Sequence, residues 1–262
     1  MHSNLSEREV PAPPIKFLYN EPALLISHGA QKYLVIGDLH IGAEARFREK
    51  GVHIYSFAEA MAKKVAELLE RFSAKNLILL GDVKESILYP DEVEAKSIRA
   101  FFKELSGYKI RIVEGNHDAH LSEVIGMEME KEIIIGGYAL LHGNAWPSVT
   151  AMSKRYIISA HNHIAVSMKD RKGGSYHYKA WLVSHAGPGM EKYYPQHNKE
   201  IRLVSMPAFN DLITGTNVAK FFQKENLNPL FRNSVFDYES SEVYLLSGEF
   251  AGTVHSLSQK PL

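Results

Sequence analysis

The chain has 262 residues, enough to bury a substantial core, and its 45% hydrophobic content is ordinary for a globular protein. It carries 30 basic and 30 acidic residues and no cysteine. That balance argues against coating nucleic acid by charge alone, and the missing thiols exclude thiolate catalysis, Fe–S clusters and Cys-based zinc sites.

Residues 1–14 are polar and proline-rich and read as a flexible or extended segment ahead of a single domain spanning 1–262. They lack the apolar centre of a signal peptide, and no stretch is long and apolar enough to span a bilayer, so a cytoplasmic protein with no membrane partner is expected. Lys32 to Ile36 reads as a buried strand, and Phe57 to Phe72 as a helix with Phe57, Met61, Val65, Leu68, Leu69 and Phe72 on one face. Leu77 to Leu80 is a second strand. A helix follows over Asp91 to Leu105, with Asp91 and Glu92 at its positive end. Lys109 to Val113 is a third strand. This β-α-β-α-β order predicts a parallel sheet with right-handed crossovers.

Beyond residue 126 the texture turns to β. Ile133 to Ile135 and Tyr138 to Leu141 flank Gly136-Gly137 as a hairpin. Further strands are predicted near 156–160, 164–168, 177–184, 200–206 and 242–247, in one α/β sandwich of two packed sheets.

Three first-half strands run into Gly37-Asp38-Leu39-His40, Gly81-Asp82-Val83 and Gly115-Asn116-His117-Asp118. Ligands of open α/β sheets gather at the carboxyl ends of strands, so these clusters should converge. His142 ends another apparent strand, and His161 and His163 stand in Ala160-His161-Asn162-His163. A strand alternates faces, so Asp38 and His40 point the same way, as do His161 and His163. Asp38, His40, Asp82, Asn116, His142, His161 and His163 form an oxygen and nitrogen donor set too large for one ordinary ion. It suits Mn, Fe, Zn or Ni. Two cations about 3.5–4 Å apart can hold a bridging hydroxide and clamp a phosphoryl group for in-line attack. His117 and Asp118 remain as a base–orienter pair, the carboxylate fixing the imidazole and favouring its protonated form.

The ordered set Asp-x-His, Gly-Asp, Gly-Asn-His-Asp, His and His-x-His over residues 38–163 resembles the calcineurin-like metallophosphoesterase superfamily. The resemblance implies a four-layer α-β-β-α sandwich of two mixed sheets and a dimetal phosphoester hydrolase. It implies Asp38, His40 and His163 on one cation, Asn116, His142 and His161 on the other, and Asp82 bridging. His117 would contact the phosphate and protonate the leaving group. Manganese is the cation the resemblance favours. Ala160 and Ile164 stand where the family usually has Gly and Pro, and Glu85 is the nearest match to a further polar residue after Gly-Asp. Asp38 to Gly42 with Glu44, Gly81 to Lys84, Leu141 to Pro147 and Pro207 to Phe209 resemble the archaeal and bacterial ICC-like branch. Some members of that branch are associated with DNA ligase and repair. This implies a phosphodiesterase, with DNA or RNA among its substrates, working as a homo-oligomer or beside repair proteins. A phosphomonoesterase or nucleotide phosphatase is the alternative, as is a non-catalytic scaffold subunit.

Other residues take plainer readings. His28, His53, His177, His185, His197 and His255 are read as surface or satisfied core side chains, and His120 as a minor candidate for substrate contact. Lys169, Arg171 and Lys172 read as a solvated hairpin tip. Trp146 and Tyr156 read as packing at the sandwich edge, with base stacking the lesser alternative.

Overall fold

In the computed structural model, residues 15–48, 51, 57–169, 174–223 and 228–259 are described. The expectations for residues 1–14, for His53 and for the tip at Arg171 and Lys172 fall outside them. The first sheet has the order β1 (Lys16–Phe17), β2 (Leu24–His28), β3 (Gln31–Ile36), β4 (Asn76–Leu80) and β5 (Lys109–Val113). Strands β3, β4 and β5 are parallel, in register from Tyr33 beside Asn76 and from Asn76 beside Lys109. The crossovers are α2 (Phe57–Arg71), preceded by the single turn α1 (Ala45–Arg48), and α3 (Glu92–Glu104). Strands β1 and β2 add antiparallel pairings that the sequence reading did not include, so this sheet is mixed.

Alternation along the strands divides the core. Leu34, Ile36, Leu77 and Leu79 face a cluster with Met61, Val65 and Leu69 of α2 and Ile98 and Phe101 of α3. Val35, Ile78, Leu80 and Val113 face the other way, into a cluster shared with the second sheet. A strand directs successive side chains to opposite faces, so apolar residues at consecutive positions mean burial on both sides. Helix α3 starts where Asp91 accepts a hydrogen bond from the Glu94 amide at 2.8 Å, the N-cap that satisfies a free first-turn donor.

After α4 (Leu121–Ile125), the chain builds the second sheet from β6 (Ile133–Ile135), β7 (Tyr138–Leu141), β8 (Tyr156–Ser159), β9 (Ile164–Lys169), β10 (Ser175–His185), β11 (Arg202–Ser205) and β12 (Thr216–Asn217). Their order is β12-β9-β10-β11-β8-β7-β6. Strand β13 (Glu242–Leu245) pairs with β10 and with β14 (Phe250–Thr253). Parallel pairs β7–β8 and β8–β11 sit beside antiparallel pairs β6–β7 and β10–β11. Ile133, Tyr138, Leu140, Ile158, Trp181 and Val204 meet the first sheet. Ala139, Leu141, Ile157, Leu182 and Leu203 face outward, onto a third cluster. It includes Met152 of α5 (Val149–Met152), Met190 of α6 (Met190–Tyr193), Leu230 of α7 (Pro229–Arg232) and Leu257 of α8 (Val254–Ser258). Helices, sheet, sheet and helices make the four layers of the expected α/β sandwich. Among the described residues, no helix is long and apolar enough to cross a membrane.

Candidate metal centre

The chemistry-bearing residues stand just past strand ends. Asp38 and His40 follow β3, Asp82 follows β4, Asn116, His117 and Asp118 follow β5, His142 follows β7, and His161 and His163 follow β8. Face-sharing by strand alternation does not hold for Asp38 with His40 or for His161 with His163, because β3 ends at Ile36 and β8 at Ser159. The backbone instead turns left-handed, with φ of 54° at Asp38, 43° at His40, 49° at Asp82, 70° at His161 and 44° at His163. Five of the nine non-glycine residues with positive φ among the described residues are thus in this cluster. Such conformations cost free energy for residues with a Cβ, and their concentration at one place marks a site the fold holds against strain.

The side chains form two groups sharing one carboxylate. One atom each of Asp38, His40, Asp82 and His163 lies within 4.8 Å of the others, and the same holds for Asp82, His142 and His161. In the first group the Nε2 atoms of His40 and His163 are 3.1 Å apart, and His163 Nε2 is 3.5 Å from Asp38 Oδ1. In the second, His142 Nε2 is 3.1 Å from both His161 Nδ1 and Asn116 Oδ1. Asp82 Oδ2 stands between them, 3.8 Å from His40 Nε2 and 3.3 Å from His142 Nε2. All seven donors named from sequence are therefore brought together, Asn116 through its contact with His142.

Their supports come from the backbone and from neighbouring side chains. His142 Nδ1 donates to the Leu80 carbonyl at 2.7 Å, which leaves Nε2 to face Asp82 and the centre. Both Asp38 oxygens accept from the His161 amide at 3.1 Å, tying the end of the first sheet to the end of the second. Asp82 Oδ1 accepts from the His117 amide at 2.9 Å, which leaves Oδ2 for the shared position. Asn210, 1% exposed, donates to the Leu39 carbonyl at 2.7 Å and so fixes the turn between Asp38 and His40.

The charges balance one another inside the protein. Burial works to raise the Asp38 and Asp82 carboxyls, but the histidines outweigh it and hold both below the usual carboxylate range. Burial works to lower His142, yet Asp82 and Asp38 push it up to about 9. His161, half-buried and beside His142, is lowered to about 4 by desolvation and by that neighbour. Burial also lowers His40, whereas Asp38 outweighs burial at His163 and raises it. Without a cation, the carboxylates and histidines thus hold one another, His142 and His163 being raised by the acids that they in turn lower. These groups fit divalent cations: nitrogen and oxygen donors converge at the spacing of ligands, and the His142 ring is anchored through its other nitrogen.

His117 is half-buried beside this centre, its ring centroid 4.9 Å from that of His40. The expected pairing with Asp118 is not the one formed. Asp118 is fully buried and accepts from the Val83 amide at 2.8 Å and the Gly115 amide at 2.9 Å, so it braces the two ligand loops. The imidazole is anchored by Glu85, whose carbonyl lies 2.5 Å from His117 Nδ1. Burial outweighs the upward pull of Asp82 and Asp118 on the pKa of the ring, and the net shift is downward.

Glu85 also sets its Oε2 3.0 Å from His40 Nδ1 and pairs with Arg46. The Glu94 carboxylate accepts from the Glu85 and Ser86 amides at 2.9 Å each. Lys84, fully buried, donates to the Ser86 carbonyl and, at 2.7 Å, to that of Leu88. The sequence reading left the role of Glu85 open and did not single out Lys84, Glu94 or Asn210. An acidic residue three places after Asp82 was the one available signal. Of the remaining histidines, His120 is exposed and 2.8 Å from Glu123, while His197 is buried and bonded to the Tyr194 carbonyl. Tyr156 stacks on Tyr138 as a packing residue. Trp146 packs on Tyr193, as read for it, and remains 45% exposed.

A family model for calcineurin-like phosphoesterases matches residues 31–234, well over half of the chain, and the protein belongs to that family. It is a hydrolase of phosphoester bonds with a candidate metal site. The nuclease MPE of Pseudomonas putida is similar in structure, with a TM-score of 0.51 and 18% identity over 86% of this chain and 97% of that one. The E. coli phosphoesterase Yfce aligns over 84% of this chain and 96% of its own at 13% identity and a TM-score of 0.38. At these identities the MPE likeness speaks for the fold, and the Yfce score is too low to add to it. Comparison with curated proteins gave no match.

Proposed function

We propose that the protein is a dimetal phosphodiesterase, with nucleic acid among its substrates. The observation that carries this reading is the place of Asp82, whose Oδ2 lies within 3.8 Å of a ligand nitrogen in each group. In this reading Asp38, His40 and His163 hold one cation, Asn116, His142 and His161 the other, and Asp82 both. Two divalent cations, manganese by the family resemblance and otherwise Fe, Zn or Ni, supply Lewis acidity to the phosphoryl oxygens and acidify water.

The chain's own groups supply the rest. With Nδ1 held by the Glu85 carbonyl, Nε2 is the atom of His117 that takes up or releases a proton. As the phosphorus–oxygen bond breaks, Nε2 hands its proton to the departing oxygen. Asp118 is a positioning residue, keeping the Val83 and Gly115 loops in register around Asp82. The preference for a diester rests on the ICC-like sequence blocks, and the zero formal net charge favours short substrates over a long polyanion. The same blocks support work beside DNA-repair partners.

The test is hydrolysis of bis-p-nitrophenyl phosphate and p-nitrophenyl phosphate with added Mn²⁺. The diester should be cleaved faster, EDTA should abolish turnover, and His117→Ala should lose activity while still binding metal. A folded, metal-loaded protein that cleaves neither ester would overturn the reading in favour of a scaffold. Faster monoester cleavage would make it a phosphatase.

A further inference from the structure

A cleft of about 730 Å³ opens directly from the candidate centre. Asn116 and His142 of the centre line it together with Gly143, Asn144, Ala145 and Trp146. This size suits a nucleotide. The Trp146 loop is fixed at several points. Pro147 accepts a 2.8 Å hydrogen bond from the Tyr194 hydroxyl, and Ser148 donates to Glu132 through its amide and its hydroxyl. The indole itself packs on Tyr193, with ring centroids 4.9 Å apart. Even so, the indole stays 45% exposed. A tryptophan that is held in place yet left open in a cleft beside phosphoester chemistry offers a flat π surface at low entropic cost.

The other lining groups narrow the occupant. Asn144 is exposed and carries both a donor and an acceptor, as an edge of a heterocycle requires. Glu114 and Glu132 also line the cleft, facing a single Lys131. Two carboxylates are poor company for a run of phosphates, whereas an uncharged aromatic base tolerates them. We propose that this cleft is a nucleobase subsite, with Trp146 stacking on the base next to the phosphoryl group handled at the metal centre. The assignment rests on the phosphodiesterase reading for the place of the phosphate, but the stacking has a readout of its own.

The protein has two tryptophans, and Trp181 lies 2% exposed between the sheets, so accessible indole fluorescence reports Trp146. Adenosine 5′-monophosphate added to the metal-loaded protein should quench that emission saturably. Ribose 5-phosphate should not, and Trp146→Phe should lack the response. In kinetics, thymidine 5′-(p-nitrophenyl phosphate) and methyl p-nitrophenyl phosphate share a leaving group and differ in the nucleoside. Trp146→Ala should raise KM for the nucleoside ester about tenfold and leave the methyl ester within about twofold. Trp146→Phe should restore most of the loss. Absent quenching, quenching by ribose 5-phosphate alike, or equal losses on both esters would overturn the subsite. Base-dependent quenching in a protein that cleaves neither ester would keep the subsite and sink the catalytic reading.

Discussion

Asp82 is the residue on which both ligand groups depend, and its two oxygens are already divided between them and the His117 amide. Asp82→Ala should therefore lose metal and turnover together, and titration calorimetry with Mn²⁺ should show at least one cation no longer bound. Proton exchange belongs to the same scale. His142 is raised to about 9, so it is protonated at neutral pH in the metal-free protein. Its pairing with Asp82 stabilises the metal-free fold fully below pH of about 6.5, and that contribution is lost as pH rises through about 9. A cation that needs the His142 lone pair must displace this proton. Apparent Mn²⁺ affinity should rise with pH up to about 9, with proton release seen as a dependence of binding heat on buffer. Affinity independent of pH over that range would remove His142 from the ligand set.

The elements bear on the site through their ends. Gly115 follows β5 directly against Asp82: a Cβ there would land on the amide and carboxylate of Asp82 and lie 3.0 Å from Asp118 Oδ2. Gly115→Ala should lower thermal stability and metal affinity together, although it touches no cation. Unchanged binding would mean the loop yields more easily than its packing implies. These ends also separate what the sequence discloses from what it hides. The parallel strands were legible because Leu77 to Leu80 is an apolar run and Lys109 to Val113 alternates basic with β-branched residues, each stopped by Gly and polar residues. The seven donors were legible because each falls at such a stop. The direction of the side chains was not, since a left-handed turn at Asp38 or His161 leaves no mark in hydrophobic alternation. Nor were the partners of His117 and Asp118, because the Glu85 carbonyl and the Val83 amide are backbone atoms that every residue type supplies. Strand β2 was missed although Ala23 to Ile26 is a buried apolar run; such a short run does not by itself distinguish a strand from other buried backbone.

For the whole molecule, three apolar clusters close the four layers without any contribution from the metal centre. The protein should stay folded after chelation, with unchanged far-UV circular dichroism. Metal should act as a ligand of the native state and raise Tm by an amount that grows with Mn²⁺ concentration. Collapse of the fold on adding EDTA would contradict this.

The bond from the His161 amide to Asp38 joins positions 123 residues apart. No short stretch of the chain carries a full set of donors for either cation, so a cation meets a complete shell only after the two sheets have come together. In the dimetal reading, loading then follows the meeting of the two sheets, and the ion that occupies the centre is chosen from the pool around a folded protein. The metal found in a purified sample will record where and in what medium that step took place.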